Sequence, residues 1–341
     1  MRPFAFLTTQ GRARRMRPLA LAALEHYPLE VERLRLVNNE TNCTFRVDAT
    51  GGETYALRIS LPDVHSVDEI EAEIEWQLAI SRETDIPVSR PIATRRGDYV
   101  VTAGARGVPE ERHCVLFSWL GGRTLADVAS PETFHSFGAL SARLHRHGAT
   151  FQPARPDVIH TLDMLYPLGD REMILDDSTR VLFPKPAYDT LLDMRAAVNR
   201  EIGWMFGRGE SPALLHGDLH WWNVMSYRGR LQVIDFEDLA WGFPVQDIAV
   251  TLYYAARNDD FAELREAFRA GYETITPWPE MYPGQTDLLM VHRALDLFNF
   301  VLGSTLREDR ELLDEFVENI QGHHREVFES WQSRFSESVY R

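Results

Sequence analysis

The alternation of hydrophobic and polar positions divides the chain into two parts. From about residue 31 to 118, short segments that alternate or carry β-branched residues predict strands. These segments are "RLRLV" (33–37), "CTFRVDA" (43–49), "YALRIS" (55–60), "YVVTA" (99–103) and "HCVLFSWL" (113–120). The polar loop "NNETN" (38–42) and the turn "TGG" (50–52) lie between the first three of them. The pattern therefore predicts an antiparallel, five-stranded sheet.

Helical spacing predominates in the rest of the chain. "SVDEIEAEIEWQLAISRE" (66–83) opens with a serine N-cap and an acidic first turn, which predicts one helix within the strand-rich part. Phe134, Phe137, Leu140 and Leu144 recur at intervals of three and four residues, so 131–148 should bury one stripe. Further helices are predicted near 186–206, 246–257, 260–274, 286–304 and 309–335. The only strong β signal of this second part is a strand pair around 214–236.

Together these patterns predict an α+β fold with two lobes. A small antiparallel-sheet lobe over 30–118 is followed by a crossover at 118–122 and a mainly helical lobe over 119–341. Residues 1–29 form an N-terminal helical extension, in which "RARRMRPLALAALEHY" (12–27) predicts a short helix. We expect the segment before Met16 to be poorly ordered.

Charge and composition narrow the functional classes. Lys and Arg number 36 against 51 Asp and Glu, a formal net charge of −15. Such a balance argues against nucleic acid or an anionic membrane as the main partner, and suits a cationic or metal-bound substrate. No apolar run is long enough to span a membrane, and Glu25-His26 interrupts the only stretch that resembles a signal peptide. Two cysteines are too few for a disulfide framework, so we expect a cytoplasmic protein.

Candidate chemistry is concentrated in two neighbouring stretches. "LLHGDLHWWNVM" (214–225) places Asp218 and Asn223 five residues apart, behind His216. "LQVIDFED" (231–238) delivers Asp235 after a β-branched pair and adds Glu237 and Asp238 at once. Carboxylates this close repel one another unless a cation lies among them or some stay protonated. The two stretches therefore predict that something positive binds here.

The spacing of these residues resembles the catalytic set of protein kinases. The longer stretch "HGDLHWWN…VIDFEDLAWGFPVQDIA" (216–249) is similar to the aminoglycoside phosphotransferase/choline kinase superfamily. Within that superfamily it most resembles the branch of type II homoserine kinases and bacterial stress-response kinases. "NNETNCTFRV", "YALRI", "EAEIEW" and "HCVLFSWLGG" extend the resemblance over roughly residues 30–255.

The resemblance implies roles for residues in both lobes. Asp218 would be the base that receives the proton of the acceptor hydroxyl, and Asn223 and Asp235 would hold Mg²⁺. Arg58 would replace the strand lysine that contacts the α- and β-phosphates of ATP, since Lys185 is the only lysine. The alternative for Arg58 is a solvent-facing strand residue. Glu73 would pair with Arg58, with Glu71 and Glu75 as competitors.

Other roles follow from the same resemblance. His220 either donates to the transferring phosphate or packs under the loop. Asp247 and His216 would brace the loop backbone. Trp221 and Trp222 would pack beneath the loop or, in the alternative, stack on the substrate. The nucleotide would be contacted by Asn39 and Asn42 at its phosphates, and by the backbone from Ser118 to Leu120 at its adenine. "DFED" has no glycine hinge, which predicts a constitutively assembled site. Glu237 and Asp238 would either surround the metal ligands without binding the metal directly or form part of the acceptor pocket.

The resemblance implies an ATP- and Mg²⁺-dependent phosphotransferase acting on a hydroxyl of a small, amine-bearing metabolite. Only eleven residues, "FEDLAWGFPVQ", separate Asp235 from Asp247, which is too short for a long peptide-binding loop. Two alternatives remain open at the level of sequence. One is a protein Ser/Thr kinase of the stress-response type, and the other is a nucleotide-binding pseudoenzyme that acts as a scaffold.

Overall fold

The computed structural model of the protein describes residues 4, 7–39, 42–62, 64–167, 171–304 and 311–335. Its α-carbon contacts divide the chain into two compact units. Unit 1 comprises Met1–Arg123, Gln152–Ile159 and Met225–Glu237. Unit 2 comprises Thr124–Phe151, His160–Val224 and Asp238–Arg341.

Unit 1 is built on the predicted five-stranded sheet. Its strands are β1 (Val31–Asn39), β2 (Cys43–Ala49), β3 (Thr54–Ile59), β4 (Val100–Ala103) and β5 (Arg112–Ser118). They pair antiparallel in the order β1-β2-β3-β5-β4. Alternate residues of β2 are buried, which is the pattern of strands that pack one face on a core. The five predicted strands are confirmed.

An N-terminal helix covers one face of this sheet. Helix α1 (Thr9–Leu24) packs Met16, Leu19 and Ala23 into one core with the buried side of β2 and β3. Tyr27 joins that core and links two strands, since its hydroxyl donates to the Tyr99 carbonyl at 3.0 Å and accepts from Leu116 N at 3.2 Å. The expectation of poor order before Met16 is wrong for residues 9–15, which are helical; residues 1–3, 5 and 6 lie outside the described part.

The opposite face of the sheet carries the helix predicted at 66–83. Helix α2 (Val67–Glu83) begins with the expected capping box, in which Ser66 accepts from Glu69 N and Glu69 accepts from Ser66 N. Ile70 and Ile74 pack against β5. Two later segments of the chain also belong to this unit: Ala154 N donates to Glu75, and Trp76 contacts Phe236 edge to face at 5.4 Å.

Helices form most of unit 2, as the sequence predicted. They are α3 (Pro131–Gly148), α4 (Asp177–Arg180), α5 (Lys185–Gly207), α6 (Pro244–Ala255), α7 (Phe261–Glu273), α8 (Gln285–Gly303), α9 (Leu313–Asn319) and α10 (Arg325–Phe335). A π-helical turn (Ile320–His324) joins the last two, so the helix predicted over 309–335 is interrupted; residues 309 and 310 lie outside the described part. The predicted stripe of α3 is buried in full.

The contact between α3 and α7 depends on two glycines. A Cβ atom at Gly138 would lie 1.9 Å from the Phe268 carbonyl oxygen, and one at Gly271 would lie 1.8 Å from the His135 carbonyl oxygen. Only a residue without a side chain lets the two backbones approach this closely. The helix pair is thus fixed by sequence at two facing positions.

The remaining strands are short: β6 (Arg123–Thr124), β7 (His160–Thr161), β8 (Ala213–Leu215), β9 (Val224–Tyr227), β10 (Arg230–Val233) and β11 (Ala240–Gly242). The sequence predicted a single strand pair around 214–236. In the structure β9 and β10 pair within that range, which confirms a strand pair there, whereas β8 pairs with β11, beyond that range, and β11 pairs in parallel with β7. Strands of two to four residues carry too little periodicity to be detected in sequence. No helix within the described ranges is long and apolar enough to cross a bilayer.

Candidate functional site

The loop 216–223 of unit 2 follows β8 and is tied to the start of α6. Asp247 accepts from His216 N at 3.1 Å and from Gly217 N at 2.9 Å, and His145 contacts its carboxylate at 3.2 Å. Gly217 has φ of 82°, and a Cβ atom there would lie 1.8 Å from the Asp238 carbonyl oxygen. A glycine is therefore required at this turn. The bracing contacts predicted for Asp247 are present.

Asp218 lies at the centre of this loop with both carboxylate oxygens engaged. Oδ1 accepts from Arg293 Nη2 at 2.6 Å. Oδ2 lies 3.1 Å from His220 Nε2 and 3.2 Å from Asn223 Nδ2. Burial alone would raise the pKa of Asp218, but Arg293, then His220, hold it well below its usual range. The carboxylate is therefore ionised at neutral pH.

The hydrogen bonds of His220 define its tautomer. Nδ1 accepts from Trp222 N at 3.2 Å, so in the neutral ring the proton is on Nε2, which donates to Asp218. His220 is 9% exposed and packs against the Tyr254 ring at 4.5 Å. The sequence left two roles open for His220. These contacts add a third role, which is to orient the Asp218 carboxylate.

Asn223 is held by the same loop. Its Nδ2 donates to the Asp218 carbonyl at 3.0 Å. Because a carbonyl oxygen can only accept, the amide must present its nitrogen to it, which fixes the orientation of the amide. Its Oδ1 has no hydrogen-bond partner within the described ranges. An amide oxygen presented in this way suits the preference of Mg²⁺ for oxygen ligands.

The two tryptophans of the loop differ in their environment. Trp221 packs edge to face on Phe134 at 6.2 Å, as predicted. Trp222 is 45% exposed and forms an aromatic corner with Tyr254 at 5.4 Å. The prediction that both pack beneath the loop is therefore wrong for Trp222, which is exposed although its ring contacts His220 edge to face at 5.5 Å.

In unit 1, Arg58 of β3 is buried among carboxylates. It forms a bidentate pair with Glu73, Nη1 to Oε1 at 2.9 Å and Nη2 to Oε2 at 2.5 Å, and lies over the Phe117 ring at 5.2 Å. Burial alone would lower the pKa of Arg58, but Glu73 and then Glu237 raise it further above its usual range. Arg58 is 6% exposed, so it is not a solvent-facing strand residue. Glu71 is exposed and Glu75 binds Ala154 N, which leaves Glu73 as the partner.

Asp235 and Glu237 lie on the same side of Arg58. The Arg58 Nη1 atom is 3.5 Å from Asp235 Oδ1 and 4.0 Å from Glu237 Oε2. Asp235 has φ of 65°, in the left-handed region that non-glycine residues rarely adopt, and its side chain is 40% exposed. The strained backbone presents an oxygen donor of the kind that Mg²⁺ binds. Glu237 instead accepts from Asn42 Nδ2 at 2.5 Å, so the Asn42 amide is already engaged within the protein.

The other predicted nucleotide contacts are only partly available. Ser118 N donates to the Arg90 carbonyl and Ser118 Oγ accepts from Arg90 N. Trp119 N donates to the Thr54 carbonyl. Leu120 N has no backbone partner in the described part of the chain, which makes Leu120 the remaining donor of the predicted adenine edge. Asn39 ends β1 and is half-buried, while residues 40 and 41 of its loop lie outside the described part.

Comparison with known families resolves the identity of the fold. Residues 33–283 match the model of the phosphotransferase enzyme family, which is most of the chain. The chain belongs to this phosphotransferase family. An uncharacterized protein of Synechocystis sp. is 27% identical over 271 residues, which cover 76% of this chain and 71% of that protein.

Solved structures share the fold of this phosphotransferase at low sequence identity. A microcompartment-associated aminopropanol kinase superposes with a TM-score of 0.71 at 21% identity, covering 92% of this chain and 98% of its own. Amicoumacin kinase, solved with AMP-PNP and Ca²⁺, gives a TM-score of 0.71 at 17% identity over 93% and 96% of the two chains. Spectinomycin phosphotransferase gives 0.59 at 13% identity over 91% and 98%. These likenesses confirm the kinase-like α+β fold.

Sequence reasoning missed one residue of the phosphotransferase site. Arg293 lies on α8 and contacts Asp218, Tyr254 and Asp296. Burial alone would lower the pKa of Arg293, but Tyr254, Asp218 and Asp296 raise it well above its usual range. The available signal was "VHRALD" (291–296), an arginine inside an apolar helical stretch with an aspartate three residues later. No group of three or more His, Cys, Asp or Glu side chains forms a metal cluster in the described ranges.

Proposed function

We propose that the protein transfers the γ-phosphate of ATP, with Mg²⁺, to a hydroxyl of a small metabolite, most specifically an amine-bearing alcohol. The observation that carries the proposal is the environment of Asp218. An ionised carboxylate is held on a braced loop, beside an amide oxygen of Asn223 that has no hydrogen-bond partner in the described part of the chain. This is the arrangement that a base and a metal ligand require in phosphoryl transfer.

The proposal assigns one role to each polar group. Asp218 accepts the proton of the acceptor hydroxyl while that oxygen attacks the γ-phosphorus, and the bond from phosphorus to the β–γ bridging oxygen breaks to release ADP. Arg58, fixed by Glu73, contacts the α- and β-phosphates, and Leu120 N contacts the adenine. Asn223 and Asp235 supply oxygen ligands to Mg²⁺, which when bound would neutralise part of the phosphate charge.

Three observations support a small, cationic acceptor. The interval between Asp235 and Asp247 contains β11, which pairs with β8 and β7, so its middle is held in a sheet and leaves no room for a long peptide-binding loop. One structural neighbour is named for aminopropanol, an amine-bearing alcohol. The formal net charge of −15 favours approach of a cationic acceptor.

The test is a competition between acceptor classes. ADP release from Mg-ATP would be measured with amino alcohols, sugars and aminoglycosides, and in parallel with unfolded or basic proteins, followed by tracing of labelled γ-phosphate. The account predicts that one of the hydroxyl compounds stimulates turnover and carries the label. Label in protein, with no small compound stimulating turnover, would favour a protein kinase instead. Absence of ATP turnover with every acceptor would favour a scaffold.

A further inference from the structure

A cation faces Asp218 from a distant part of the chain. Arg293 lies 75 residues after Asp218, on α8, yet its Nη2 atom is 2.6 Å from Asp218 Oδ1. The side chains of both residues are less than one-fifth exposed. A charge-assisted hydrogen bond at this distance in a largely buried setting is stronger than an exposed ion pair.

Besides Asp218, two further residues hold the guanidinium. Nη1 donates to Asp296 at 3.1 Å, one turn along α8. Nη2 also donates to the Tyr254 hydroxyl on α6 at 3.2 Å, and the guanidinium carbon lies 5.7 Å from the centre of the Tyr254 ring. Because α6 and α8 both contribute, the position of Arg293 is set by the packed helices rather than by the loop that carries Asp218.

From this geometry we propose that Arg293 is a positioning residue for Asp218, which rests on the function proposed above. The terminal torsion of an aspartate is broad and roughly two-fold, so its own rotamer does not fix the carboxylate plane. His220 and Asn223 hold Oδ2 from the loop, and Arg293 holds Oδ1 from α8. The carboxylate is thereby fixed at both oxygens while its remaining lone pairs can receive the acceptor hydroxyl.

This role has a kinetic signature. A small displacement of a base lowers kcat. Nucleotide binding is assigned to other residues, so the affinity for ATP should not depend on Arg293. Loss of Arg293 should therefore lower kcat with little change in KM for ATP. Lysine at 293 keeps the charge but not the planar fork, so it should recover only part of the turnover.

The first experiment measures hydrolysis of γ-labelled Mg-ATP, with water as the acceptor, in Arg293→Met, Arg293→Lys and Arg265→Met. Arg265 pairs with Asp287 of α8 at 2.5 Å, so its variant removes a similar ion pair from the same helix. Expected results are a kcat about 10- to 100-fold lower for Arg293→Met, an intermediate loss for Arg293→Lys, and wild-type values for Arg265→Met. KM for ATP should stay within about twofold in all three. An unchanged kcat in Arg293→Met, or an equal loss in Arg265→Met, would overturn the proposal.

A second experiment tests whether Arg293 acts through Asp218. In an Asp218→Asn background, Arg293→Met should lower kcat by little more than Asp218→Asn alone, because the group it positions is already gone. Full additivity of the two losses would contradict the role.

Thermal unfolding separates this proposal from the proposed function. The four proteins compared are the wild type, Arg293→Met, Asp218→Asn and the variant with both substitutions. Arg293→Met should lower Tm more in the native background than in the Asp218→Asn background, since only the former leaves a buried carboxylate uncompensated. This comparison holds whether or not the protein turns over ATP, and equal decreases in Tm would overturn the pairing. Wild-type protein without any ATP turnover would instead count against the proposed function. If Arg293→Met is unfolded at the assay temperature, Arg293→Lys with wild-type kcat would contradict the need for the planar fork.

Discussion

Two arginines, Arg58 buried and Arg293 half-buried, determine the electrostatics of the residues that the sequence singled out. The closely spaced carboxylates of 214–238 predicted that something positive binds among them. In the structure Arg58 lies among Glu73, Asp235 and Glu237, and Arg293 lies beside Asp218. The protein therefore supplies part of the positive charge itself. The net charge of the chain is therefore weaker support for a cationic acceptor than the sequence alone suggested. The pairing of β11, which supports a small acceptor, is unaffected.

Residues of the site differ in how far sequence could predict them. Asp218, Asn223 and Asp247 stand in one short motif, and their contacts are local to the loop and the helix that follows it. Glu73 could be separated from Glu71 and Glu75 only by the packing of α2, because all three lie on an acidic helix. An arginine in an apolar helical stretch marked Arg293 as unusual, but no local pattern could indicate that it reaches a loop 75 residues away.

The metal dependence of ATP binding separates the roles proposed at this scale. Asn223→Ala and Asp235→Ala should weaken binding of Mg-ATP far more than binding of metal-free ATP, because they remove oxygen ligands. Arg58→Met should weaken both, by about 10- to 100-fold for the loss of a charged hydrogen-bonding group. Calorimetry with and without Mg²⁺ measures these affinities. Arg35→Met is the matched control, since Arg35 also pairs with a carboxylate, Asp48, on the same sheet.

Two outcomes would contradict those assignments. Equal losses with and without Mg²⁺ in the Asn223 and Asp235 variants would remove the metal role. Wild-type affinity in Arg58→Met would return Arg58 to a structural role in holding α2 against the sheet. Thermal unfolding of each variant shows whether a loss of binding reflects loss of the fold.

At the scale of elements, periodicity was sufficient wherever an element is long. The five strands of unit 1 and the stripe of α3 follow directly from spacing. Helix α1 was expected to be an extension, but its apolar side completes the core of the sheet. Membership of the segments Gln152–Ile159 and Met225–Glu237 in unit 1 depends on contacts between distant residues, such as Trp76 with Phe236, and no local pattern encodes it.

The close contact of α3 and α7 makes a prediction at this scale. Gly138→Ala should lower the free energy of unfolding by about 1–3 kcal/mol, because a methyl group would force the two helices apart. Gly203→Ala is the control, as its Cβ atom would meet nothing within 4 Å on α5. The free energy of unfolding of Gly203→Ala should rise by about 0.5–1 kcal/mol, because alanine favours the helix more than glycine does. Urea denaturation measures both, and a neutral Gly138→Ala would show that the helices adjust without cost.

At the scale of the whole molecule, the family is shown and the acceptor is proposed. The match over residues 33–283 places the chain among phosphotransferases. The roles of Asp218 as base and of Asn223 and Asp235 as metal ligands are proposals that rest on the resemblance. Acceptor specificity in such folds depends on side chains that differ between members, so the fold does not determine it. Arg293 binds Asp218 and Asp296, and Tyr254 contacts both Arg293 and Trp222. Of these side chains Arg293, Tyr254 and Asp296 lie outside the motif that carries the resemblance.

The most direct test of the central claim compares turnover and binding in Asp218→Asn. Asparagine keeps the size of the side chain but cannot accept the acceptor proton. With the acceptor identified by the competition experiment, the account predicts a kcat lower by roughly 10²–10⁴-fold. The affinity for Mg-ATP, measured by calorimetry on the same preparation, should remain within about twofold of wild type. Near-native turnover in Asp218→Asn would contradict the claim that Asp218 is the base of a phosphotransferase.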